Sequence, residues 1–81
     1  MQDLKNKVNE LIKHNQEMIK ENQYFIKSFT DKIIKLSNSK YSEYHLKYIE
    51  RLRKYEREMR EEIIEYRKEI IEFRKILDSL K

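Results

Sequence analysis

Eighty-one residues without one glycine, proline or cysteine, 42% of them charged and 38% hydrophobic, have the composition of long helices with a narrow apolar stripe, not of a globule around a central core. The missing cysteines exclude disulfides, thiolate zinc sites and thiol nucleophiles, and the missing glycines and prolines exclude most of the tight loops on which active sites are built. The net charge of +4 is modest, and with eight lysines against five acids in residues 1–40 and eleven basic residues against ten acids in 41–81, neither half is a basic block of the kind that announces nucleic acid.

The first stretch, Met-Gln-Asp-Leu-Lys-Asn-Lys and onward, carries charges throughout, and no uninterrupted apolar run exceeds three residues. Neither a signal peptide nor a membrane span is expected, and the chain reads as soluble and cytoplasmic. With Val8 as heptad position a, the a series is Val8, Asn15, Asn22, Phe29 and Leu36, and the d series is Leu4, Leu11, Met18, Phe25 and Lys32. This spacing predicts one amphipathic helix over about 2–37. Ser28 followed by Asp31 resembles a capping box that would start a separate short helix, but the Ile19, Ile26, Ile33 series passes through it.

Residues 38–42 contain serines and an asparagine, whose side-chain oxygens cap helices and compete with backbone hydrogen bonds, so the turn is expected there. From about 42 to 80 a second helix follows, with Ile49, Glu56, Ile63, Ile70 and Leu77 at a and His45, Leu52, Met59, Tyr66, Phe73 and Leu80 at d. Folding at the serine-rich turn pairs residues whose numbers sum to 81: Leu4 with Leu77, Val8 with Phe73, Leu11 with Ile70, Met18 with Ile63 and Phe29 with Leu52. The predicted fold is therefore all-α, a single domain of two long antiparallel helices forming a helical hairpin or coiled coil. Three polar residues fall on its seam, Asn15 opposite Tyr66, Asn22 opposite Met59 and Glu56 opposite Phe25. They either fix the register or are tolerated by a wet seam.

Ile12, Ile19, Ile26 and Ile33 form a second heptad series beside this seam, with Ile64 and Ile71 on the other helix. These six widen the apolar face beyond what one partner helix covers, and either broaden the intramolecular packing or form an interface, most economically a symmetric dimer making a four-helix bundle. Arg53, Arg60, Arg67 and Arg74, seven apart, run along one edge as a cationic rim. Arginine is ordinary at the flank of a coiled coil, and such a rim beside an apolar face also suits an acidic amphipathic helix.

Near the turn, Tyr41, Tyr44, Tyr48 and Tyr55 lie with Lys47, Arg51 and Lys54 at helical spacing. The combination serves RNA or single-stranded DNA, a protein hot spot, or aromatic padding of a bundle end. His14 and His45 have no metal-ligand spacing around them, and the carboxylates read as helix-surface pairs such as Glu56 with Arg60. No enzyme activity, cofactor, metal, membrane or small-molecule ligand is expected. The expected function is a homodimeric protein-interaction module, an adaptor, inhibitor or assembly factor of the kind phages and mobile elements encode. The alternatives are a nucleic-acid-binding hairpin dimer and a coiled-coil spacer.

Overall fold

The structure, a computed structural model, describes residues 2–40 and 42–80, with Ser42 described in its backbone alone. Helix α1 spans Gln2–Ser37 and helix α2 spans Leu46–Ser79, joined through a single 3-10 turn at Ser42–His45. No glycine or proline interrupts either run, and α1 passes unbroken through Ser28 and Asp31. At the end of α1 the Asn38 N–H donates to the Ile34 carbonyl at 3.1 Å and the Ser39 N–H to the Leu36 carbonyl at 3.2 Å, which tightens the last turn and satisfies its carbonyls. Helix α2 begins differently from the expectation of a serine cap. Its N-cap is His45, whose side chain makes no capping bond, and the 3-10 turn leads the chain into the helix instead.

The two helices pack against each other as a hairpin measuring 61 × 14 × 12 Å. The radius of gyration is 18.2 Å, where a compact chain of this length would have about 12 Å. Two helices enclose little volume, so although Val8, Ile12, Ile49, Leu52, Ile63 and Ile70 are buried, no described side chain is fully sealed from solvent. Among the described residues no helix is long and apolar enough to cross a membrane.

The register is the one in which paired numbers sum to 81. The Asn15 amide donates to the Tyr66 carbonyl oxygen at 3.3 Å and the Asn22 amide to the Met59 carbonyl oxygen at 3.2 Å. Toward the termini Val8, Ile12 and Ile70 form one cluster, with Ile19, Phe73 and Leu77 packed against it. On α2 the seam follows the predicted a and d series. On α1 it does not: Leu4 and Leu11 are 46% and 47% exposed and Phe25 is exposed, while Ile12 is buried and Ile19, Ile26 and Ile33 are half-buried. The seam of α1 therefore runs through Val8, Ile12, Asn15, Ile19, Asn22, Ile26, Phe29, Ile33 and Leu36, a 4-3-4-3 spacing that makes the isoleucine ladder one of its two rows.

The Val8 series borders both possible faces, and the helix is rotated toward the side with four uninterrupted isoleucines. The opposite row ends in Lys32, whose charge would be desolvated in the seam. Leu11, expected opposite Ile70, gives that place to Ile12.

Candidate protein-binding surface

The rotation of α1 decides which side chains face outward. Each asparagine of the seam reaches a second acceptor on α2: Asn15 donates to Glu69 Oε2 at 2.7 Å and Asn22 to Glu62 Oε2 at 2.9 Å. Both partners of each amide are pure acceptors, a carbonyl and a carboxylate, so the nitrogen must face them. Asn15 and Asn22 are 4% and 3% exposed, and every buried side-chain nitrogen or oxygen among the described residues has a partner. The seam is closed at these positions by two identical clamps one heptad apart.

The clamps also place Glu62 and Glu69 along one edge of the hairpin. Glu58, Glu65 and Glu72 stand on the same side of α2, one helical step further out, and all five are exposed. Glu58, Glu61, Glu62 and Glu65 line an open depression of about 640 Å³ with Tyr66. The α1 side of this edge is apolar, with Leu4, Leu11 and Phe25 exposed and Met18 half-buried. At its turn end the rings of Tyr24, Phe25, Phe29 and Tyr55 form a row with successive centroid separations of 5.7, 6.4 and 6.1 Å, the last step crossing from α1 to α2. This is the acidic edge.

The opposite edge carries Arg53, Arg60, Arg67 and Arg74 on α2, all exposed, with Gln16, Gln23 and the lysines Lys13, Lys20 and Lys27 on α1. Arg60 and Arg67 line a depression of about 460 Å³ together with Gln23, Lys27, Ile26, Ile63 and Ile64, so the arginine rim does lie beside the isoleucine ladder. Ile64 and Ile71 are 51% and 54% exposed on this side. Arg60 is bonded within the chain, its Nη2 2.7 Å and its Nε 3.2 Å from Glu56 Oε1, which neutralises the one half-buried glutamate of the seam. Among the described residues Arg53, Arg67 and Arg74 have no such intramolecular partner. This is the cationic edge.

The six isoleucines assigned to one interface are thus divided. Ile12, Ile19, Ile26 and Ile33 serve the hairpin's own seam, and Ile64 and Ile71 remain on its surface. The heptad pattern places Leu4, Leu11 and Phe25 in the seam, so their exposure is not legible in it, and the separation of the arginine and glutamate ladders onto opposite sides of the hairpin shows only with both helices in place. Of the tyrosine patch, Tyr41 lies outside the described residues. Tyr44 is 86% exposed, Tyr48, Lys47, Arg51 and Lys54 are exposed, and Tyr55 has its ring against Phe29. Among the described residues no three His, Cys, Asp or Glu side chains are grouped to hold a metal ion. No protein-family model matches this chain, and neither a curated protein nor a solved structure matches it.

Proposed function

We propose that the protein is a non-enzymatic, cytoplasmic protein-interaction module, an adaptor, inhibitor or assembly factor, that binds an acidic amphipathic helix along its cationic edge. The observation that supports this is the pairing of unpartnered arginines, Arg67 and Arg74, with the exposed Ile64 and Ile71 on one side of α2. An amphipathic helix laid there would cover the isoleucines and offer carboxylates to the guanidinium forks, which bind them in bidentate geometry. Self-association belongs to the same proposal. With the isoleucine ladder inside the hairpin, a second copy has the two edges on which to dock.

Nucleic acid is less well matched. The glutamates interleaved along α2 repel phosphates, and the Tyr55 ring, one of the stacking platforms, already lies against Phe29. The test is fluorescence anisotropy with a labelled helical peptide of leucines and glutamates at i, i+3, i+4 spacing. Binding that disappears in Arg67→Glu/Arg74→Glu supports the cationic edge. Absence of binding, or binding indifferent to those substitutions, overturns it, and steep salt-dependent capture of a single-stranded oligonucleotide through Lys47, Arg51 and Lys54 would install the alternative.

A further inference from the structure

We infer that the partner of the cationic edge is a second copy of this chain, which docks by its acidic edge, so that hairpins associate side by side with unlike edges in contact. The inference rests on the cationic edge being the binding surface and adds the identity of its occupant.

Charge decides between the possible pairings. A symmetric dimer brings one patch against itself. Through the cationic edge it would oppose two arginine ladders, and through the acidic edge it would turn Glu62 and Glu69 of both copies toward each other. Only the unlike pairing sets carboxylates against guanidinium groups. The spacing agrees as well. Glu58, Glu65 and Glu72 repeat every seven residues, as do Arg53, Arg60, Arg67 and Arg74, so in two helices lying side by side both ladders repeat every ~10.5 Å and stay in phase. Glu65 and Glu72 also meet Lys68 and Lys75 of their own helix at 3.4 and 3.2 Å, exposed pairs that hold them weakly and leave them open to a docking guanidinium. Each edge also has apolar surface for the other to cover, Leu4, Leu11 and Phe25 on one and Ile64 and Ile71 on the other.

Area gives an independent measure. The chain exposes 6719 Å², whereas a compact monomer of its 10.2 kDa would expose about 5,300 Å². The excess of about 1,400 Å², shared between two edges, is about 700 Å² each, close to the ~800 Å² per partner of a standard protein interface. Because the two edges lie on opposite sides, each copy presents a free edge after docking, and association continues beyond two unless a ring closes.

The experiment is light scattering coupled to size exclusion on the full chain across a hundredfold concentration range, with two variants and their mixture. Arg67→Glu/Arg74→Glu disables the cationic edge and leaves the Glu56–Arg60 pair intact, and Glu58→Lys/Glu65→Lys disables the acidic edge. Circular dichroism checks that both remain helical, and Gln at the same positions replaces any charge reversal that unfolds the hairpin. The expected result is a wild-type mass that grows at least twofold with concentration, each variant alone at 10.2 kDa, and a one-to-one mixture of at least twice that mass, since the two reversed edges are also opposite in charge. A wild type that stays at 10.2 kDa, a variant that associates like the wild type, or a mixture that fails to combine overturns the inference. A monomer that still binds the acidic peptide overturns self-docking alone. A chain that assembles equally well as Arg67→Glu/Arg74→Glu, and that does not bind the peptide, overturns the cationic-edge proposal beneath it.

Discussion

Asn22 on α1 and Met59 on α2 are joined by a hydrogen bond from a side-chain amide to a main-chain carbonyl at 3.2 Å, and Asn15 and Tyr66 repeat the bond one heptad away. A carbonyl inside a helix has a second lone pair free for such a bond. Each asparagine therefore reads the backbone of the opposite helix, and its carboxylate partner three residues further on holds the amide in place. A seven-residue slip of the helices would leave one of the two asparagines facing α2 without its glutamate, because Tyr55 and Ile76 stand where Glu62 and Glu69 do now.

Truncating a clamp differs from filling it. Asn22→Ala removes two hydrogen bonds and leaves a gap, and is expected to lower unfolding free energy by roughly 1–3 kcal/mol. Asn22→Leu leaves no orphan, since the Met59 carbonyl belongs to a helix and Glu62 is solvated, and should leave the melting temperature unchanged or higher. The Asn15→Leu/Asn22→Leu double variant should then broaden the distance distribution between spin labels on the two helices. An equally narrow distribution would show that the apolar residues set the register unaided.

The rotated seam of α1 is checked by two neighbours. Ile12→Ala should cost about 2–4 kcal/mol, in the range for a buried isoleucine, whereas Leu11→Ala should fall within about 0.5 kcal/mol of wild type. Thermal unfolding followed at 222 nm decides the matter, and the reverse order would return Leu11 to the seam.

Glu56 and Arg60 form a one-turn ion pair with Arg60 largely exposed. Arg60→Ala is expected to lower stability by no more than about 0.5 kcal/mol, and its binding to the acidic peptide should fall less than that of Arg67→Ala, because Arg60 already faces a carboxylate. A larger binding loss for Arg60 would mean that the pair opens on docking.

The aromatic row makes the turn end of the hairpin depend on Phe29, the ring between Phe25 and Tyr55. Phe29→Ala should speed amide hydrogen exchange in residues 46–55 more than in residues 63–73, where Val8, Ile12 and Ile70 hold the helices together. Uniform acceleration would mean that the hairpin opens as one unit.

The hairpin, its turn and its register were legible because they depend on the period and placement of apolar residues, which a sequence displays directly. The face of α1 was not. Val8, Asn15 and Asn22 belong equally to a seam completed by Leu11 or by Ile12, each row brings four apolar residues, and only the charged lysine that ends the Leu4 row separates them. The clamps were half visible: the opposed positions of Asn15 and Tyr66 follow from numbering, but their glutamates lie outside the seam and are fixed by which way the amide points. The division into a cationic and an acidic edge needed both helices in place, because α2 carries arginines and glutamates in comparable number and only its partner shows which side each faces.

At 61 × 14 × 12 Å the hairpin is more than four times as long as it is wide. Helical N–H bonds point along the helix axis, so nearly every amide vector in this molecule lies along its long dimension. Nuclear spin relaxation of those amides is therefore blind to spinning about the rod and senses only its end-over-end tumbling. By that measure a single hairpin, at concentrations too low for copies to associate, will report the rotational correlation time of a globule well above its mass, with Asn38 and Ser39 at the turn relaxing out of step with the two helices.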